Sequence, residues 1–177
     1  MKHLPSIFIA ALVLFGAVSQ GAAPNEEDLP HVRADGRRLM FGWHGGSPHR
    51  VDVSNLIRAA TLDTVKVLTA QTNGDVDYFV VTVSGPSRTG SPNGSTTSST
   101  ESNLLWLKLR SWKLLDAQSL LYQSYWDFLQ PVGDYHIKGG VLTLRFANLR
   151  ESTNYVLRYD SSKPEAKIEI QRAGDVE

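Results

Sequence analysis

Apolar side chains recur at every second position in several stretches of this chain, and that period constrains its fold more than any other feature. Val65-Lys66-Val67-Leu68-Thr69, Leu104 to Arg110 and Val141-Leu142-Thr143-Leu144-Arg145-Phe146 alternate or nearly do. Successive side chains of a β-strand point to opposite faces, so alternation gives each strand one greasy and one wetter side. Tyr78-Phe79-Val80-Val81-Thr82-Val83 is apolar almost throughout, as for a strand covered on both faces near its middle. Asn73-Gly74-Asp75 stands between the first two runs and supplies turn chemistry, because Asn and Gly accept positive φ at low cost. These residues predict a hairpin, with Leu104–Arg110 pairing back onto Tyr78–Val83. Shorter strands are expected over Leu39–Trp43 and Val51–Val53, with a turn or two of helix after Ser54. Further extended segments are Tyr135–Lys138, followed by the turn or bulge pair Gly139-Gly140, then Val141–Phe146, Asn154–Tyr159 and, at an edge, Lys167–Gln171; a domain built from about seven strands is expected.

One stretch breaks the period. In Ser111 to Gln130, Leu114, Ala117, Leu121, Tyr122, Tyr125, Phe128 and Leu129 share one side of a helical wheel, with Asp116, Ser119, Gln123 and Asp127 opposite. Ser111 suits an N-cap and Pro131 a stop. The expectation is a mainly β chain, an antiparallel β-sandwich-like domain with one amphipathic helix at about 111–130. The alternative is an α+β arrangement with that helix packed on an antiparallel sheet.

The N-terminus reads as an address. A basic start at Lys2 and His3 precedes the apolar run Ile7–Val18 and then small residues. That order marks a secretory signal peptide over 1–19, cleaved somewhere between 19 and 22. The run is short for a membrane span, which needs ~20 residues. Residues 22–36 read as a mobile leader, 37–177 as one β-rich domain, and 85–102 as a flexible loop, since Gly85 to Ser102 carries no aliphatic or aromatic side chain to offset its ordering entropy. Asn93-Gly94-Ser95 is a glycosylation sequon, usable only in a eukaryotic secretory pathway. The implied location is secreted or periplasmic, with no membrane span after cleavage.

Composition removes several classes. There is no Cys, so no disulfide framework, thiolate metal site or Cys nucleophile exists, and the core must supply stability without a covalent link. Eighteen Lys and Arg balance eighteen Asp and Glu with no long basic run, which argues against a general nucleic-acid binder. No G-x-S-x-G elbow accompanies the serines, and Gly45-Gly46 lacks the lysine and helix of a phosphate loop. His44 and His49 with Asp52 form an H-x4-H cluster that offers two imidazoles and a carboxylate to a metal, or to a hydrolase, but its spacing matches no defined ligand motif. Trp112, Tyr122 and Trp126 are the candidate binding residues, within an aromatic run that includes Tyr125, Phe128 and Tyr135. Such rings serve either as core or as a platform for a sugar or a protein.

Residues 134–171 resemble the closing strands of an immunoglobulin-like or fibronectin-type-III-like sandwich. The resemblance is carried by Val141-Leu142-Thr143-Leu144, Leu149 and Thr153-Asn154-Tyr155-Val156-Leu157. It implies that Tyr155 anchors a strand corner through its hydroxyl, a structural role. Leu157 stands where the second Cys of many such domains falls, and the expected helix occupies the place of an inner strand. If that segment is a strand pair instead, the resemblance gives Trp126 the part of the buried core Trp. The function expected is a non-enzymatic binding or interaction module, without a cofactor, that meets another protein or a cell-surface ligand. The alternatives are a carbohydrate- or ligand-binding envelope protein using the aromatic cluster and, behind it, a hydrolase built on His44, His49 and Asp52.

Overall fold

The structure, a computed structural model, describes residues 29–42, 47–88 and 99–174. Its described residues form twelve strands, all paired antiparallel, and no helix. The expectation of a mainly β, sandwich-like architecture holds; the strands are more numerous than the seven expected.

Three sheets stack. β1 (His31–Asp35), β2 (Arg38–Gly42) and β3 (His49–Asp52) form the first, in that order. β4 (Thr64–Asn73), β5 (Val76–Pro86), β6 (Thr100–Arg110) and β7 (Lys113–Gln123) form a four-stranded meander. The third holds β8 (Leu129–Pro131), β9 (His136–Lys138), β10 (Val141–Asn148), β11 (Thr153–Asp160) and β12 (Glu169–Arg172). Its order is β12-β11-β10, with β8 and β9 both paired to β10.

The meander is the middle layer, because its two faces feed two cores. Val67, Phe79, Val81, Val83, Leu105, Leu107 and Leu109 pack with Leu39, Phe41, Val51, Val53, Ile57 and Leu62 on one side. Leu68, Tyr78, Val80, Leu104 and Trp106 pack with Leu142, Leu144, Phe146, Leu157 and Tyr159 on the other. Period-two geometry sends odd and even positions of β5 and β6 into different cores. The near-continuous apolar run at Tyr78–Val83 therefore reflects a strand with no wet face. β10 and β11, by contrast, bury one face only, and alternate cleanly.

Tight turns join the strands where the sequence supplies the needed backbone freedom. Gly74 has φ +65° in the β4–β5 turn, and Gly139 and Gly140, at φ +56° and +77°, close β9 onto β10 with Lys138 opposite Val141.

The helix expected at 111–130 is absent. Ser111 and Trp112, both at positive φ (49° and 64°), make a two-residue hairpin turn, and Lys113–Gln123 continues as β7 against β6. The α+β alternative falls with the helix. The misreading has a physical cause. In the β6–β7 ladder Leu109 pairs with Leu114 and Lys108 with Asp116, leaving Leu115 as a bulge; Tyr122 is a second, between Leu121 and Gln123. Each bulge inserts a residue and resets the two-residue phase. Between them, Ala117 and Ser119 face one core, and Gln118 and Leu120 the other. A strand that carries polar and apolar residues on both faces, with its phase reset twice, loses its alternation.

Other boundaries also move. His31–Asp35, placed in the leader 22–36, is strand β1, registered against Arg38–Gly42. The segment after Ser54 runs as turns, not as helix. β5 extends to Pro86 and β6 begins at Thr100, so the loop read over 85–102 is shortened at both ends by paired residues, with Gly85 opposite Glu101. The signal segment 1–19, its cleavage region, His44 and Asn93 lie outside the described residues.

Candidate ligand cleft beside Trp126

At one end of the middle sheet, a short segment lies across β5. Ala60 N–H donates to the Pro86 carbonyl at 2.8 Å, Asp63 N–H to the Ser84 carbonyl at 2.8 Å, and Ala59 bridges to Ser87. Gly85 permits this approach: a Cβ there would lie 1.8 Å from the Thr61 carbonyl oxygen. Two guanidinium groups hold the segment. Arg37 Nη2 donates to the Ile57 carbonyl at 2.7 Å, and Arg88 donates to the Ala59 and Ile57 carbonyls at 3.4 Å each.

The turn Tyr125–Phe128, between β7 and β8, arrives beside this segment. Ser124 and Leu129 exchange backbone hydrogen bonds of 3.0 and 2.9 Å across it, and Phe128 takes φ +59°. Arg58 reaches from the strap and pairs with Asp127. The result is a cleft of about 380 Å³ lined by Ile57, Arg58, Ser87, Arg88, Glu101 and Trp126.

Glu101 is the unusual member of that lining. Only 3% of it is exposed. Its Oε1 accepts from the Ser124 hydroxyl at 3.2 Å, while Oε2, fully enclosed, has no hydrogen-bond partner. Burial pushes its carboxyl above the ordinary carboxylate range, opposed by the Ser124 and Ser87 hydroxyls and the charge of Arg58 and reinforced by Asp127. Leaving a buried carboxylate oxygen unpaired is costly, and because Oε2 is enclosed by protein, a hydroxyl in the cleft would meet it only after the Glu101 side chain turned outward. Trp126, 36% exposed and edge-on to Tyr125 with ring centres 6.0 Å apart, adds an apolar plane, and Arg58 and Arg88 add donors.

The candidate binding residues therefore separate. Trp126 lines the cleft. Trp112 stands at the other end of β7, roughly 35 Å of extended chain away. It stacks on His49 (centres 4.4 Å apart, planes 8° apart) and packs on Phe41 and Phe79, as an outer wall of the first core. Tyr122 packs against the second core, where burial raises its hydroxyl pKa against the pull of Ser102 and Ser84. Trp126, 36% exposed, is not a buried core Trp; Trp106, 1% exposed, is buried, and its Nε1 donates to the Pro164 carbonyl at 3.0 Å. Tyr155 stacks on Phe146, and its hydroxyl donates to the Glu151 side chain at Oε2, 3.0 Å away, across the turn that enters β11.

His49 and Asp52 do not converge. They lie three residues apart in β3 and so project to opposite faces. His49 meets Trp112, whereas Asp52 accepts from Ser54 N–H at 2.8 Å, which lowers its pKa, and faces Arg38 at 4.0 Å. Among the described residues no cluster of three or more His, Asp or Glu side chains is arranged to hold a metal.

The sequence reading missed Glu101, Arg58, Arg88 and Ser124. The only trace of Glu101 is an acid three residues ahead of the apolar run that starts at Leu104, and nothing local says that its strand buries it. Comparison with known protein families, with curated proteins and with solved structures finds no match to this chain.

Proposed function

We propose that this protein is an exported, non-enzymatic binding module that holds an uncharged, hydroxyl-bearing sugar ring between Trp126 and Glu101. One observation carries the reading: Glu101, 3% exposed and with one unpartnered carboxylate oxygen that would be satisfied by turning outward, stands in the wall of a cleft that also presents an indole and two guanidinium groups. Sugar hydroxyls both donate and accept, so Glu101 would take a donated hydrogen and Arg58 or Arg88 would supply one. The indole covers the ring's C–H face. Export rests on the N-terminal signal segment. The immunoglobulin-like reading rests on the β10–β11 hairpin with its stacked Phe146 and Tyr155.

Titration calorimetry of the purified protein against a panel of neutral mono- and oligosaccharides tests this. At least one neutral sugar is expected to bind, with affinity reduced about tenfold or more by Trp126→Ala or Glu101→Ala, consistent with losing a stacking surface or a buried charge-assisted hydrogen bond. A panel without a binder, or a binder indifferent to both substitutions, overturns it.

A second reading has its own support. Tyr125, Phe128 and Leu149 are 56%, 43% and 56% exposed, and Leu149 N–H donates to the Phe128 carbonyl at 2.8 Å, so the two turns form one apolar tip. A tip of this kind suits contact with another protein. Crosslinking that captures a partner through this tip, and loses it in Tyr125→Ser/Phe128→Ser, distinguishes it from the sugar reading.

A further inference from the structure

The third sheet has a second groove, far from Trp126 in chemistry. β10 and β11 send Leu142, Leu144, Phe146, Leu157 and Tyr159 inward. The intervening residues therefore face outward, and they line a groove of about 630 Å³ that includes Lys138, Val141, Thr143, Arg145, Val156 and Arg158. Lys138, Arg145 and Arg158 are exposed. None of the three makes an ion pair among the described residues, whereas Arg38, Arg50, Arg58, Arg110 and Lys167 each do. Two acids share this face on the side of Arg158. Glu169 is opposite Arg158, and Asp160, opposite Val141, has its pKa lowered by the Ser162 hydroxyl and N–H and further by the charges of Lys163 and Arg158. The face thus carries three exposed cations against two carboxylates, and Lys138 and Arg145 have no acid directly opposite them in the strand register.

The geometry points to a strand of acidic polysaccharide, bearing a carboxylate on successive sugars, as the occupant of this groove; we propose it as a site separate from the Trp126 cleft. The charges are spread, not convergent. Val156 is opposite Arg145 and Arg158 is two residues further along, a diagonal of about 7–8 Å between backbones. Lys138 stands across Val141 on the far side of β10. A single small anion needs donors aimed at one point; a polymer with repeated carboxylates matches a row. The floor between them, Val141, Thr143 and Val156, is made of short side chains on which sugar rings can lie. An acidic peptide is the poorer fit. Extended peptides gain affinity by main-chain hydrogen bonding at a free strand edge, and the two strands that carry the arginines, β10 and β11, are paired on both sides, the open edge lying at β12.

The test is titration of the purified protein with polygalacturonate at low and at physiological salt, with dextran and poly-L-glutamate in parallel. Polygalacturonate is expected to bind, and its affinity to fall as salt rises because the cations are exposed. The double variant Arg145→Gln/Arg158→Gln is expected to bind at least tenfold more weakly, with thermal unfolding unchanged. Trp126→Ala is expected to bind as tightly as the parent, so failure of the sugar cleft and failure of this groove are told apart. Absence of polygalacturonate binding at low salt, an unaffected double variant, or poly-L-glutamate binding as tight as polygalacturonate overturns the proposal.

Discussion

Glu101 carries a cost that the protein tolerates at a named place. Its folded pKa is raised by burial. At low pH the carboxyl is protonated in both folded and unfolded chains. As pH rises past the ordinary carboxylate range the unfolded chain releases its proton first, so stability falls with rising pH until the folded value is passed. Glu101→Gln removes this titration. The variant is expected to gain stability relative to the parent on going from pH 4 to pH 7, as read by urea denaturation at the two pH values. A parent and variant that track each other across that range would show that the carboxyl pays no such penalty. The aspartates on the surface work in the opposite sense: Asp116, lowered by Lys167, and Asp160, lowered by Ser162, lend stability above the ordinary carboxylate range that is lost as pH falls.

At the scale of elements, the strap over β5 depends on a missing side chain. Gly85→Ala places a methyl group against the Thr61 carbonyl, a backbone atom that cannot swing aside. The expected cost is about 3 kcal/mol by chemical denaturation, with amides of 59–63 losing hydrogen-exchange protection first. Full stability in that variant would mean that the strap moves freely. Elements also show how far sequence reached. The β4–β5 hairpin, the pairing of β6 back onto β5, the β9–β10 glycine turn and the strands β10 and β11 were legible because each shows either alternation or, in β5, a continuous apolar run, bounded by turn residues. β7 was not, since two bulges reset its phase and its entering turn uses Ser111 and Trp112 instead of the Asn-Gly or Asp-Gly pairs that favour positive φ. Trp112 holds that turn through packing on Phe41 and Phe79, a contact between residues far apart in the chain. Of the cleft, only Trp126 was visible. Glu101 and the two arginines come together through strand register and the strap, which no local pattern records.

For the whole molecule, the middle sheet makes two cores depend on one another. Leu107 and Leu104, on the same strand, are both fully buried and point into different cores. Leu107→Ala and Leu104→Ala are each expected to cost about 2–5 kcal/mol. Both are expected to shift one shared transition, seen at the same denaturant concentration by tryptophan fluorescence and by circular dichroism. Two separated transitions in either variant would show that the cores unfold independently. The same arrangement has a consequence during folding. The β5–β6 hairpin is greasy on both sides, so it is never safe in water by itself, and until the flanking sheets cover it every newly made chain presents two adhesive surfaces to its neighbours. Crowded refolding should therefore lose material to precipitation at this hairpin before it loses any elsewhere.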